Sequence, residues 1–150
     1  MVSFKNAVLI TPDPRNIEVL KDFPVPNSKK QLESFLGMGL YLSKFTNKFS
    51  MSCNNLRELC KYKGKWNENT WNEVHQREFD EVKNLMSHPA NLSPYNPDLP
   101  LFLQIDSARY PAGTGFMLFK KNEVTGEKFI LQMDSKKFTE TFSNYSPYLL

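Results

Sequence analysis

The apolar residues of this chain change their period at Pro89, and that change narrows the folds open to it. Upstream of Pro89 they recur at the three- and four-residue spacing of amphipathic helices. Downstream they fall in short runs bounded by proline and glycine, as strands do. The pattern predicts an α+β protein, a small helical subdomain followed by an antiparallel sheet.

In the helical part, Pro12, Pro14, Pro24 and Pro26 bracket a short apolar stretch, Ile17, Val19 and Leu20, that has room for a brief helix. A stronger element follows. Ser28 and Gln31 have capping-box spacing behind Pro26, and Leu32, Phe35, Leu36, Leu40, Leu42 and Phe45 recur at helical intervals, which predicts a helix over 28–47. Gly37 and Gly39 lie inside it, each costing about 1 kcal/mol relative to alanine. Both are therefore expected where something comes close, either a neighbouring helix or a nucleic-acid backbone. A second helix is expected over Asn54–Lys61, with Leu56, Leu59 and Cys60 inward, leading into a basic turn that carries Lys61, Lys63 and Lys65. A third is expected to start at Thr70, which with Glu73 has capping-box spacing, and to run through Val74, Phe79, Val82, Leu85 and Met86 until Pro89 stops it.

Beyond Pro89, the prolines at 94, 97 and 100 demand an extended connection. Leu101–Asp106 then reads as a largely buried strand, Gly113–Phe119 as a second and Lys128–Met133 as a third. Thr125 and Gly126 supply the turn that makes the last two an antiparallel hairpin. The aromatic residues Phe35, Tyr41, Phe45, Phe79 and Phe102 fall at inward positions of these elements, so core packing is expected of them rather than base stacking.

The net charge of +3 hides an asymmetry: residues 1–66 carry 11 Lys/Arg against 5 Asp/Glu, whereas residues 67–150 carry 8 against 11. Any polyanion contact is thus expected in the first half. Cys53 and Cys60 are spaced for neither a metal knuckle nor a disulfide framework, and His75 and His88 do not complete a zinc pattern, so the cysteines are expected to be ordinary buried or half-buried thiols. No apolar run approaches membrane-spanning length and the opening residues make no convincing signal peptide, which leads to an expectation of an intracellular protein, cytoplasmic or nuclear, without membrane contact.

An ordered series of motifs then points to a family. Pro12-Asp13-Pro14, Phe23-Pro24-Val25-Pro26, Ser34-Phe35-Leu36-Gly37, Tyr41, Lys44-Phe45 and Phe49-Ser50 are followed by Trp66, Phe79, Lys83, Pro89, Phe102, Asp106, Gly113, Ser135 and Asn144-Tyr145-Ser146. Each piece is weak alone, but the series resembles, over nearly the whole chain, the segment that follows the polymerase palm in gypsy-type (Ty3-like) retrotransposon reverse transcriptases. The resemblance implies a thumb/connection-like helical region over 1–65, a linking helix and proline-rich connection over 66–97, and the first strands of a ribonuclease H-like domain over 98–150. It implies an RNA/DNA hybrid or other nucleic-acid duplex as partner; from the residues themselves, the helix bearing Lys29, Lys30, Lys44 and Lys48 is expected either to lie against the phosphates of such a duplex or to be a solvated face. It also implies family enzymes that polymerise DNA on RNA and cleave the RNA of a hybrid with Mg2+.

Asp106 matches the first ribonuclease carboxylate of that family and so is the expected remnant of a catalytic Mg2+ ligand. Two hard cations need several oxygen donors, and one aspartate cannot organise them. The family's next carboxylate belongs just after Asn144-Tyr145-Ser146, where Leu149 and Leu150 stand. Phe142 replaces a usually acidic residue, Ser107-Ala108 inverts the usual pair, and no Asp-Asp pair for polymerisation occurs anywhere in the sequence. The expectation is a catalytically incomplete piece that holds no Mg2+ tightly by itself. It would serve as a duplex-binding module, or as a scaffold whose open sheet is covered by a partner protein.

Overall fold

The computed structural model describes residues 9–46, 48–109 and 112–139. The positions expected at Asn144-Tyr145-Ser146, Phe142, Leu149 and Leu150 lie outside the described residues. Five helices precede three strands: α1 (Pro14–Lys21), α2 (Lys29–Leu42), α3 (Phe49–Ser52), α4 (Asn54–Lys61), α5 (Glu73–Met86), β1 (Leu101–Arg109), β2 (Ala112–Lys121) and β3 (Lys128–Lys137). The helical-then-extended order is the one that the change of period at Pro89 requires. No helix among the described residues is long and apolar enough to cross a membrane.

The helix α2 starts where its capping box sets it: Ser28 Oγ accepts from Gln31 N, and Gln31 Oε1 accepts from Asn27 N. It ends earlier than the sequence pattern suggests. The expected helix over 28–47 gives way after Leu42 to a 3-10 turn, Ser43–Phe45, because Ser43 Oγ back-bonds to Leu40 O at 2.6 Å and the tighter turn swings Phe45 into the core. Leu32, Phe35, Gly39 and Leu42 make the buried stripe of α2. They pack with Leu20 of α1, Leu56 and Leu59 of α4, and Phe79, Val82 and Met86 of α5 in one continuous core. Phe35 sits at its centre, 4.5 Å from Phe79 and 5.5 Å from Phe23 between ring centroids.

Two helix starts depart from simple capping. For α5 the expected Thr70/Glu73 box is replaced by Asn72 and His75: Asn72 Oδ1 accepts from Val74 N and His75 N, and His75 Nδ1 accepts from Asn72 N at 3.2 Å. Thr70 Oγ1 instead accepts from Asn67 N within the preceding turn, so the helix is capped two residues later than expected. The helix α4 has no side-chain cap of its own. Its first amides are met from α5, where the buried carboxylate of Glu78 accepts from Asn55 N (3.1 Å) and Leu56 N (2.9 Å). This tertiary cap satisfies two of the orphan donors at the helix start, of which the Leu56 amide is buried.

The sheet is antiparallel throughout, in the order β1-β2-β3. Gly126, at φ 74°, closes the β2–β3 hairpin in the left-handed region that glycine favours. A bulge between Leu118 and Phe119 shifts the register, so that Met117 pairs with Met133 and Phe119 with Ile130. Alternation then places Phe102, Gln104, Asp106 and Ala108 of β1 on the face toward the helices, beside Phe119, Met117, Gly115 and Gly113. Met133 anchors this face in the helical core. The expectation that the first strand is largely buried is not met, since all nine residues of β1 are exposed. The helical part packs on β3 and stops short of β1, so a run of apolar residues reads as interior but, among the described residues, lies at the end of the sheet.

Candidate nucleic-acid interface

The residues of α2 that avoid the core form a second stripe. Lys30, Ser34, Gly37, Tyr41 and, one turn on, Lys44 follow one another at intervals of three and four, and all are exposed. Lys29 stands beside Lys30 at the helix start. Tyr41 is 61% exposed, against the expectation of a core position, and the Lys44 ammonium lies 5.3 Å from its ring centroid. Phe102 also departs from that expectation, at 38% exposed, whereas Phe35, Phe45 and Phe79 are buried as expected.

The two glycines of α2 separate cleanly. A Cβ at Gly39 would stand 2.5 Å from the Phe49 ring, so packing explains that glycine, although against a side chain rather than a backbone. At Gly37 nothing lies within 4 Å of where a Cβ would be. No neighbour in the fold requires it, and the exposed stripe is left with a flat, backbone-lined middle between lysines at its ends.

The four lysines named from the sequence do not share one helix. Lys29 and Lys30 open α2, Lys44 lies on the 3-10 turn and Lys48 precedes α3. About 20 Å of helix separates the first pair from Lys44. Lys48 turns to a different feature, a cleft of about 350 Å3 between α3, α5 and the inner sheet face, whose lining includes Met51, Glu81, Gln104, Asp106 and Ser135. Its floor is set by Gly113, where a Cβ would meet Met51 Sδ at 2.5 Å and Lys136 O at 2.7 Å.

Asp106 therefore faces a cleft, with Glu81 of α5 on the same lining. No local pattern marks Glu81, because only the packing of α5 beside the sheet places it there. The donor set among the described residues does not fit a pair of Mg2+ ions. Glu81 Oε1 already accepts from Ser52 Oγ at 3.0 Å, Lys48 brings a positive charge to the same lining, and no group of three His, Cys, Asp or Glu gathers among the described residues. The thiols are equally unsuited to chemistry: burial pushes Cys53 up to about 11, and desolvation also raises the half-buried Cys60.

Comparison with known proteins gives the fold a context. Residues 71–150 match the family model described as the RNase H-like domain found in reverse transcriptase. Among solved structures, the foamy viral protease-reverse transcriptase in complex with dsDNA superposes with a TM-score of 0.76 at 21% identity, covering 91% of this chain and 27% of that one. The same viral protein in complex with an RNA/DNA hybrid gives a TM-score of 0.72 at 21% identity, covering 91% of this chain and 18% of the other. The chain thus spans about a quarter or less of the length of these proteins. No curated protein matches the sequence.

Proposed function

Because the chain belongs to the family of RNase H-like domains found in reverse transcriptases, we propose that it is the piece of a gypsy-type (Ty3-like) enzyme that grips a nucleic-acid duplex, and that it does not cleave alone. The observation that carries this reading is the solvent-facing stripe of α2. Lysines at its ends can neutralise phosphates, Tyr41 offers a ring, and Gly37, which nothing in the fold requires, leaves room for a backbone to approach closely. The related fold in the foamy viral protein is seen with dsDNA and with an RNA/DNA hybrid, which supports a duplex as the ligand class. On this reading Asp106 is the remnant of a metal ligand. Asp106 and Glu81 are the only carboxylates on the cleft lining among the described residues, fewer oxygen donors than a two-ion hydrolysis needs.

The test is binding of the purified chain to an RNA/DNA hybrid across a salt titration with Mg2+ present. Salt-sensitive binding without cleavage is expected, and replacing Lys30 and Lys44 together by glutamate should lower both the affinity and the salt slope, the latter by at least about two. Binding indifferent to salt or to those replacements would refute the grip. Cleavage that disappears in Asp106→Asn would refute the claim of incompleteness.

A further inference from the structure

Lys61, Lys63 and Lys65 alternate with Tyr62 and Gly64 from the last residue of α4 into the turn that follows, and all five residues are exposed. Cations interleaved with an aromatic ring suit a nucleic-acid strand, whose charged phosphates and flat bases need both kinds of contact. Gly64 explains how the ring is held. A Cβ there would collide with the Tyr62 ring and hydroxyl, so the side chain folds back over the glycine. Tyr62 remains 48% exposed, and its ring surface is positioned by the turn before any ligand arrives.

The same ring lines a second cleft, of about 350 Å3, together with Leu59, Asn67, Asn69 and Thr70. That volume lies at the small end of the ~300–1,000 Å3 typical of ligand sites. Leu59 and Tyr62 supply the apolar part of the lining. The polar part is fixed by its own turn: Asn67 Oδ1 accepts from Asn69 N, and Thr70 Oγ1 accepts from Asn67 N, both at 2.9 Å. Asn67 Nδ2 and the side-chain amide of Asn69 bond no other described residue, so donors and an acceptor remain for a ligand.

We propose that this cleft holds one unpaired base of a single-stranded nucleic acid, stacked on Tyr62 and hydrogen-bonded by Asn69, with Lys63 and Lys65 on the flanking phosphates. Lys61 contributes less, because Glu58 pairs with it at 2.7 Å. Glu68 opposes the phosphates from the same loop without outweighing the two remaining lysines. A duplex is a poor occupant, since its bases would first have to leave their stack. The site uses none of Gly37, Tyr41 and Lys44, and it stands whether or not the α2 stripe grips a duplex.

Fluorescence anisotropy with a short labelled single-stranded DNA oligonucleotide tests the proposal. Salt-sensitive binding is expected, weakened at least ~5-fold by Tyr62→Ala, the lower end of what one stacked base is worth. Tyr62→Phe keeps the ring and should bind nearly as well as the wild type. Lys63→Glu with Lys65→Glu should weaken binding and lower the salt slope by about two, which decides the matter even if Tyr62→Ala fails to fold. Lys44→Glu, on the α2 side, should change the affinity by less than about two-fold, because salt screens distant exposed charges. No binding of the single strand, indifference to Tyr62→Ala or to the lysine replacements, or an equal loss in Tyr62→Phe or Lys44→Glu would each overturn the proposal.

Discussion

Phe35 and Ile105 are both large apolar residues in regular elements, yet Phe35 is sealed among helices while Ile105 is 64% exposed. The helical region closes on itself because each helix has partners on its apolar side, and even the start of α4 is capped from α5. The sheet gains cover only where α3 and the 3-10 turn reach β3, and that cover fades toward β1. Among the described residues, then, the helices supply most of the closed core, whereas the sheet adds Met133 to it and presents a cleft on one face and an exposed strand at its end.

The sharpest way to break this comparison is a pair of truncations. Phe35→Ala should cost about 3–5 kcal/mol in denaturant unfolding, as large aromatic deletions in closed cores do. Ile105→Ala should stay within about 0.5 kcal/mol. Equal costs would mean that β1 is covered in solution. Next in size, Glu78→Ala removes the tertiary cap of α4 and should cost about 2 kcal/mol, because the buried Leu56 amide and the Asn55 amide beside it lose their acceptor. An unchanged unfolding midpoint would show that water or another side chain reaches them.

The two glycines of α2 sharpen the same contrast within one helix. Gly37→Ala should stabilise by about 1 kcal/mol, since the new methyl enters open space, yet weaken duplex binding if the stripe is the interface. Gly39→Ala should destabilise, because Phe49 would have to move. Thermal melts of the two variants should shift in opposite directions.

The smallest effect concerns His75, whose pKa is lowered by desolvation against a weaker, opposing influence from Glu78. With the folded value below the unfolded one, the unfolded chain binds the proton more readily. The contribution to stability is therefore complete above the ordinary histidine range, near 6.5, and is lost as pH falls through the depressed folded value. Protonation also removes the acceptor that Nδ1 offers Asn72 N. Urea midpoints should drop on acidification through this window more in the wild type than in His75→Gln, whose amide keeps an acceptor at every pH. Equal drops would place the titration elsewhere.

The amino-acid sequence by itself determined the α+β order, the start of α2 at Ser28, the extent of α4, the hairpin at Gly126 and the pairing of the last two strands, because capping, turn chemistry and apolar period are local properties of the chain. It also offered Asp106, through a family resemblance, and the lysines as candidates. Only the tertiary structure decided that Lys48 belongs to the cleft with Asp106, that Glu81 joins them, that Gly37 faces open space while Gly39 holds Phe49, and that Leu101–Arg109 forms an exposed edge. Those outcomes depend on which surfaces meet, and a run such as Leu101-Phe102-Leu103 has the same local pattern whether or not another element arrives to cover it.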